Sequence, residues 1–217
     1  MDLPGWQKFF EELQDKNFEI LSVAEDIGGI KAAGPWIEKA HPTFTVLIDE
    51  RHTVASLYGM VNVPTAVWID EKGKIVRPNE TAFIDNRFKS MHGIDAQPYL
   101  DAIRDWLAQG ERSPYVMTSE ELRQRMCQLS PDHLLADTYF KLAQHLVTAG
   151  QDRDAIPYFK MAQKLRPESW NFKRQAWLLA DPDKDYGTNF AKEVKALNGK
   201  PYYPPLDLPK PKISQQE

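Results

Sequence analysis

Residues 62–76 read Asn62-Val63-Pro64-Thr65-Ala66-Val67-Trp68-Ile69-Asp70-Glu71-Lys72-Gly73-Lys74-Ile75-Val76. Two β-rich runs, 65–69 and 74–76, flank Asp70-Glu71-Lys72-Gly73, and Gly73 can supply the positive φ of a hairpin turn. Upstream, 43–48 (TFTVLI) and 18–24 (FEILSVA) are short apolar runs of the kind expected for strands buried on both faces. Between and around these runs the period changes to that of a helix. Trp6, Phe9, Phe10 and Leu13 fall at i, i+3, i+4 and i+7 within residues 6–14. A helix is expected over 31–40, despite Pro35, until His41-Pro42 breaks it. Another is expected over 53–58, stopped by Gly59. A last one covers 95–108, with Leu100, Ile103 and Leu107 on one face. The alternation predicts an α/β arrangement. Residues 77–93 (RPNETAFIDNRFKSMHG) form an insert longer than a turn needs, carrying Phe83, Ile84 and Phe88 among polar residues. It either covers a functional face or packs on the last helix.

From Ser113-Pro114 onward the pattern is helical. Thr118 with Glu121 three residues later is a capping box, opening a helix expected to run to Leu129. Ser130 and Pro131 suit the N-cap and first helical position of the next, which runs to Gly150. Helices follow over 152–165, 168–180 and 189–197, then a proline-rich, extended tail over 201–217. Between Ala136 and Pro167 the spacing resembles one tetratricopeptide repeat of ~34 residues. Tyr139, Leu142, Ala143 and Leu146 match its first helix, and Ala155, Phe159, Ala162 and Pro167 its second; small Ala143 and Ala155 are expected to let the helices approach, with Tyr139 and Phe159 filling the gap. Arrays of this kind need about three repeats for stability. The region therefore packs on the first half, either as a docking surface for a partner or as a scaffold.

Composition narrows the function classes. The 217 residues are 42% hydrophobic and 27% charged, with net charge -4, which gives no support for a nucleic-acid surface. No apolar run approaches the ~20 residues of a membrane span. The N-terminal MDLPGWQKFFEELQ has no secretory-signal pattern, so a cytoplasmic location is expected for the chain as it stands. The single cysteine, Cys127, can neither close an intrachain disulfide nor run a two-cysteine redox cycle.

The stretch 62–76 resembles the TlpA/ResA-type thiol-disulfide oxidoreductases of the thioredoxin-like (redoxin) fold. In that family a Val-Pro-Thr loop leads into a strand ending in Ile-Asp, then a Gly turn and a second strand. FEILSVAED, PTFTVLIDE and VASLYGM fit the same family in order and spacing. The resemblance implies that Pro64 is cis and that Val63, Pro64 and Thr65 hold an extended protein or peptide thiol/disulfide substrate. An ordinary trans-proline loop is the alternative. The family's Cys-x-x-Cys lies just before a helix that begins like Leu3-Pro4-Gly5-Trp6 with Phe9-Phe10, and here the chain starts at that point. The strand leading into that motif would lie between those formed by FEILSVA and TAVWID. Without it, a rearranged sheet or a strand from elsewhere is expected. Two readings fit. The natural start lies upstream of Met1, with cysteine or selenocysteine (a UGA codon read as a stop) at the redox position and an extracytoplasmic location open. Otherwise the domain is degenerate and non-catalytic.

The expected organisation is therefore a thioredoxin-like domain over 1–112 lacking its first strand and redox motif, and a linker and first helix over 113–131. A tetratricopeptide-like region over 132–200 and a tail over 201–217 complete it. Disulfide turnover is not expected of the 217 residues, and no catalytic residue is assigned. A binding module using the thioredoxin groove and the repeat surface is the alternative function. Cys127 reads as an inert thiol on an apolar helix face. No cofactor is implied: His41, His52, His92, His133 and His145 lack metal-ligand spacing, and Gly28-Gly29 reads as a turn rather than a phosphate loop. Glu25-Asp26 reads as a solvated strand end.

Overall fold

The computed structural model describes residues 2–126 and 129–209. In chain order the elements are α1 (Leu3–Leu13), β1 (Leu21–Glu25), α2 (Gly29–Ala40), β2 (Thr45–Asp49), α3 (Thr53–Tyr58), β3 (Thr65–Ile69) and β4 (Ile75–Thr81). Then come α4 (Lys89–His92), α5 (Gln97–Gln109), α6 (Ser119–Arg125), α7 (Pro131–Thr148), α8 (Asp152–Leu165), α9 (Trp170–Leu178) and α10 (Phe190–Ala196).

The first core forms where α1 and α5 lie against β3 and β4. Phe9 and Leu13 meet Trp68, Val76, Ile84, Tyr99, Leu100 and Ile103 there. Trp68 donates its indole N–H to the Tyr99 hydroxyl (2.9 Å) and stacks on Trp106 at 5.0 Å, so the one polar atom of the buried indole is satisfied. Phe18 packs edge-on against Phe9 (6.1 Å) and so belongs to the α1 side, outside the strand that starts at Leu21.

The strands form two separate ladders. β1 pairs in parallel with β2 (Leu21 opposite Thr45, Val23 opposite Leu47), and β3 pairs antiparallel with β4. Among the described residues no strand joins β1 to β3. The expectation that 18–24 and 43–48 are buried on both faces is therefore corrected. Leu21 is 61% and Leu47 48% exposed, because among the described residues no layer covers the face they share with Val23. β4 is longer than expected and takes in the start of the insert. Its Arg77 and Glu80 form a 2.6 Å ion pair in which both residues are 1% exposed. The rest of the insert packs inward: Ala82 and Ile84 join the first core, while Phe83 stacks on His92 at 3.9 Å.

In the helical half, α6 carries the full Thr118–Glu121 capping box but ends at Arg125, short of Leu129. Cys127 lies outside the described residues. Helices α7, α8 and α9 bury Ala136, Ala143, Ala155, Ala162 and Ala176 completely, and these small side chains let the helix axes approach. Phe140, rather than Tyr139, fills the gap. Phe140 lies 5.6 Å from Phe159 and stacks on Phe172 at 4.3 Å, whereas Tyr139 sits at the margin against Tyr158. Residues 201–209 form no helix or strand and run back across the first half beside β4.

At Ala155 a larger side chain has no space to enter. Ala155→Leu is expected to lower stability by about 1–3 kcal/mol through overpacking, read as a drop in the urea midpoint at unchanged m-value.

Candidate functional site

The loop between α3 and β3 is where the two halves meet. Gly59 ends α3 at φ +66, a conformation glycine adopts without strain, and its N–H bonds back to Ser56. From there the chain runs as a series of backbone carbonyls whose donors come from the helical half. Gly59 C=O accepts from Arg166 (3.3 Å) and Met60 C=O from the Asn171 side-chain amide (3.3 Å). Val61 C=O accepts from the Trp170 and Asn171 N–H groups (2.7 and 3.1 Å), the free donors at the start of α9. Val63 C=O accepts from Arg174 (3.3 Å) and from the Tyr203 hydroxyl (3.1 Å).

Asn62 organises the end of this loop. It is buried, and its Oδ1 accepts from the Val63 N–H (3.0 Å) and from Arg174, while its Nδ2 donates to Tyr202 C=O (3.2 Å). The Thr65 hydroxyl closes the turn on Asn62 C=O at 2.6 Å. The Val63–Pro64 peptide is cis. Pro64 C=O accepts from Ala82 N–H (3.2 Å), and Thr65 pairs with Thr81 as β3 begins. Val63, Pro64 and Thr65 thus sit together at the junction. The Val63 side chain is exposed, yet both its backbone groups already have partners within the chain.

Behind the loop the interface is polar and buried. Asp137 of α7 accepts from the Ser56 hydroxyl (2.7 Å) and from Arg166 (3.4 Å). His52 precedes α3 and packs edge-on against Phe140 at 5.3 Å, with its Nδ1 3.1 Å from Gln144 Nε2. Since the Gln144 Nε2 can only donate, His52 Nδ1 is the acceptor there, and burial pushes its pKa below the usual histidine value. These contacts line a narrow cleft between α3 and α7.

Glu25, at the end of β1, is not the solvated strand end that the sequence suggested. Its Oε2 shares the Asn171 amide (3.4 Å) with the Met60 carbonyl, and its Oε1 is buried without a hydrogen-bond partner. Desolvation raises its pKa to about 7 against the pull of the Ala55 backbone N–H, with Asp49 adding to the rise and Arg174 opposing it.

Among the described residues, no group of three or more histidine, cysteine, aspartate or glutamate side chains could hold a metal ion. No described helix is long and apolar enough to cross a membrane. The chemistry at this junction is that of backbone hydrogen bonding: the Val63–Pro64 loop, an amide hub at Asn62, and a guanidinium at Arg174. Sequence reasoning singled out Val63, Pro64 and Thr65 but missed Asn62, Arg174 and Tyr203. Asn62 carried a weak signal, as an Asn whose side chain can bond the following backbone. Arg174 and Tyr203 carried none, since their roles depend on chain separations of 111 and 140 residues.

The model of the AhpC/TSA family, a redoxin family of the thioredoxin fold, matches residues 1–77, about a third of the chain. That segment includes α1, both strands of the first ladder, the cis-proline loop and β3. No curated protein and no solved structure matches the chain.

Glu25 gives the junction a pH signature. The folded state holds its proton up to about pH 7, and the unfolded chain only up to 4.5. Between those values the folded form binds more protons, so this group's contribution falls as pH rises from 4.5 to 7, by up to ~3 kcal/mol at 1.36 kcal/mol per unit. Glu25→Gln is expected to remove that loss. Urea midpoints at pH 5 and pH 8 should therefore differ less in the variant than in the parent chain, and equal differences would show that Glu25 is solvated.

Proposed function

We propose that this chain is a thioredoxin-like protein of the TlpA/ResA kind that receives an extended protein or peptide substrate along Val63, Pro64 and Thr65. We also propose that its 217 residues carry out no dithiol–disulfide turnover of their own. The observation that supports this most directly is the match to the redoxin family over residues 1–77, a segment that contains the Val63–Pro64–Thr65 loop. An extended substrate chain would pair with the Val63 N–H and C=O as an added strand, in the manner of β-augmentation.

Turnover requires an attacking thiolate and a second thiol to resolve the mixed disulfide. The chain holds one thiol, Cys127, so the second step has no internal agent. A second reading, a non-catalytic binding module, is favoured by the apolar surface on α7, where Leu134, Leu135 and Leu142 are exposed. Under that reading α7, α8 and α9 act as a tetratricopeptide-like partner surface, and the loop retains its affinity for peptide.

Insulin reduction by dithiothreitol separates thiol chemistry from binding. The 217-residue chain is expected to give no rate above dithiothreitol alone, and Cys127→Ser to behave identically. Activity in the parent chain that disappears in Cys127→Ser would overturn the assignment of Cys127 as inert.

A further inference from the structure

Residues 201–209 lie in a groove between β4 and the helical half, and their contacts have the form of a bound extended peptide. The Tyr202 and Pro204 carbonyls accept from the Asn62 amide (3.2 Å) and the Thr81 hydroxyl (3.2 Å). The Asp207 carbonyl accepts from Arg77 (2.9 Å), its N–H donates to Glu80 Oε2 (3.5 Å), and its carboxylate pairs with Arg125 at 2.9 Å. The two tyrosine rings pack edge-on against each other at 4.5 Å and reach different neighbours. Tyr202 packs on Trp170 (4.4 Å) and Phe190 (5.5 Å), and Tyr203 on Phe83 (4.9 Å) and His92 (5.8 Å). Residue 204 lies by Thr81 and residue 207 by Arg77 and Glu80, so the segment runs antiparallel to β4. It is held by side-chain donors to its carbonyls rather than by a strand ladder. This is how aromatic-lined grooves take proline-rich chains, whose backbone stays extended and lacks N–H groups at proline.

We infer that the segment PYYPPLDLP (201–209) is a built-in ligand that closes the cis-proline loop, so that strap and incoming chain exclude one another at Val63. This rests on the proposed role of Val63, Pro64 and Thr65. The exclusion follows from stoichiometry. The Val63 carbonyl has two lone pairs, one taken by Arg174 and the other by the Tyr203 hydroxyl, and the Val63 N–H is held by Asn62. An added chain must displace one of these donors, and the Tyr203 hydroxyl is the one that the strap supplies. Because the strap is tethered, its effective concentration is of order millimolar, and a free peptide at micromolar concentration cannot compete. Release is nonetheless within reach. The outer clamp, Asp207 with Arg125, has its carboxylate 76% exposed, and ion pairs so open to water hold weakly.

Fluorescein-labelled PYYPPLDLP and labelled, alkylated insulin B chain are titrated by anisotropy into the full chain and its Tyr202→Ala/Tyr203→Ala variant. The tail peptide is expected to bind the double variant at least tenfold more tightly than the parent; equal affinity for the two would overturn the proposal. The B chain reads the substrate role separately. B-chain binding to the variant alone supports both readings. If the tail peptide shows the tenfold gain and the B chain binds neither protein, the strap stands and the substrate role at Val63 fails. B-chain binding equally to both proteins sinks the strap while sparing that role. Tyr203→Phe keeps the ring packing and removes only the bond to Val63. It covers the case in which the double variant loses its fold, and a gain of about fivefold in tail-peptide affinity is expected for one hydrogen bond. No gain in a folded Tyr203→Phe protein would likewise overturn the proposal.

Discussion

Backbone carbonyls withdrawn from water must find donors, and the loop 59–63 exposes a run of them that no ladder of its own half satisfies. Arg166, Asn171, Arg174 and the first N–H groups of α9 supply those donors from the far half of the sequence. The start of α9 and the end of α3 meet the same need from opposite sides, since a helix N-terminus lacks acceptors and a loop of carbonyls lacks donors. The arrangement explains why the helical half sits where it does. It also explains why the interface is lined with Asp137, Gln144 and Asn171 rather than aliphatic side chains alone.

What could be read in the sequence was local. The capping box at Thr118, the N-cap at Ser130, the glycine stop after α3 and the alanines of α7 and α8 follow from spacing and short-range chemistry. The structure has each of them. The errors came from neighbours that spacing cannot supply. Apolar runs at 18–24 and 43–48 look like strands covered on both sides, yet β1 pairs along one edge and Leu21 and Leu47 meet solvent. Phe140 displaced Tyr139 from the helix crossing because Phe172, three helices into the bundle, offers it a stacking face. At the site, Val63, Pro64 and Thr65 could be singled out because their pattern is contiguous. Their partners could not, because Arg174 and Tyr203 reach Val63 across more than a hundred residues.

Arg77 and Glu80 show a second dependence of the same kind. A buried ion pair stabilises little unless its remaining donors and acceptors are also satisfied. Here Arg77 completes its set on the Tyr115 and Asp207 carbonyls, and Glu80 accepts in addition from Arg125 at 2.7 Å. Interior charge in β4 is tolerable because later segments wrap over it.

That wrapping sets an order of assembly during synthesis. The α7–α8 pair is built from contacts between neighbours in the chain, so its partners leave the ribosome close together. The β3–β4 unit is translated earlier, but its buried arginine waits for the carbonyl of residue 207, 130 positions downstream. The half of the molecule that is made first is therefore the half that is finished last.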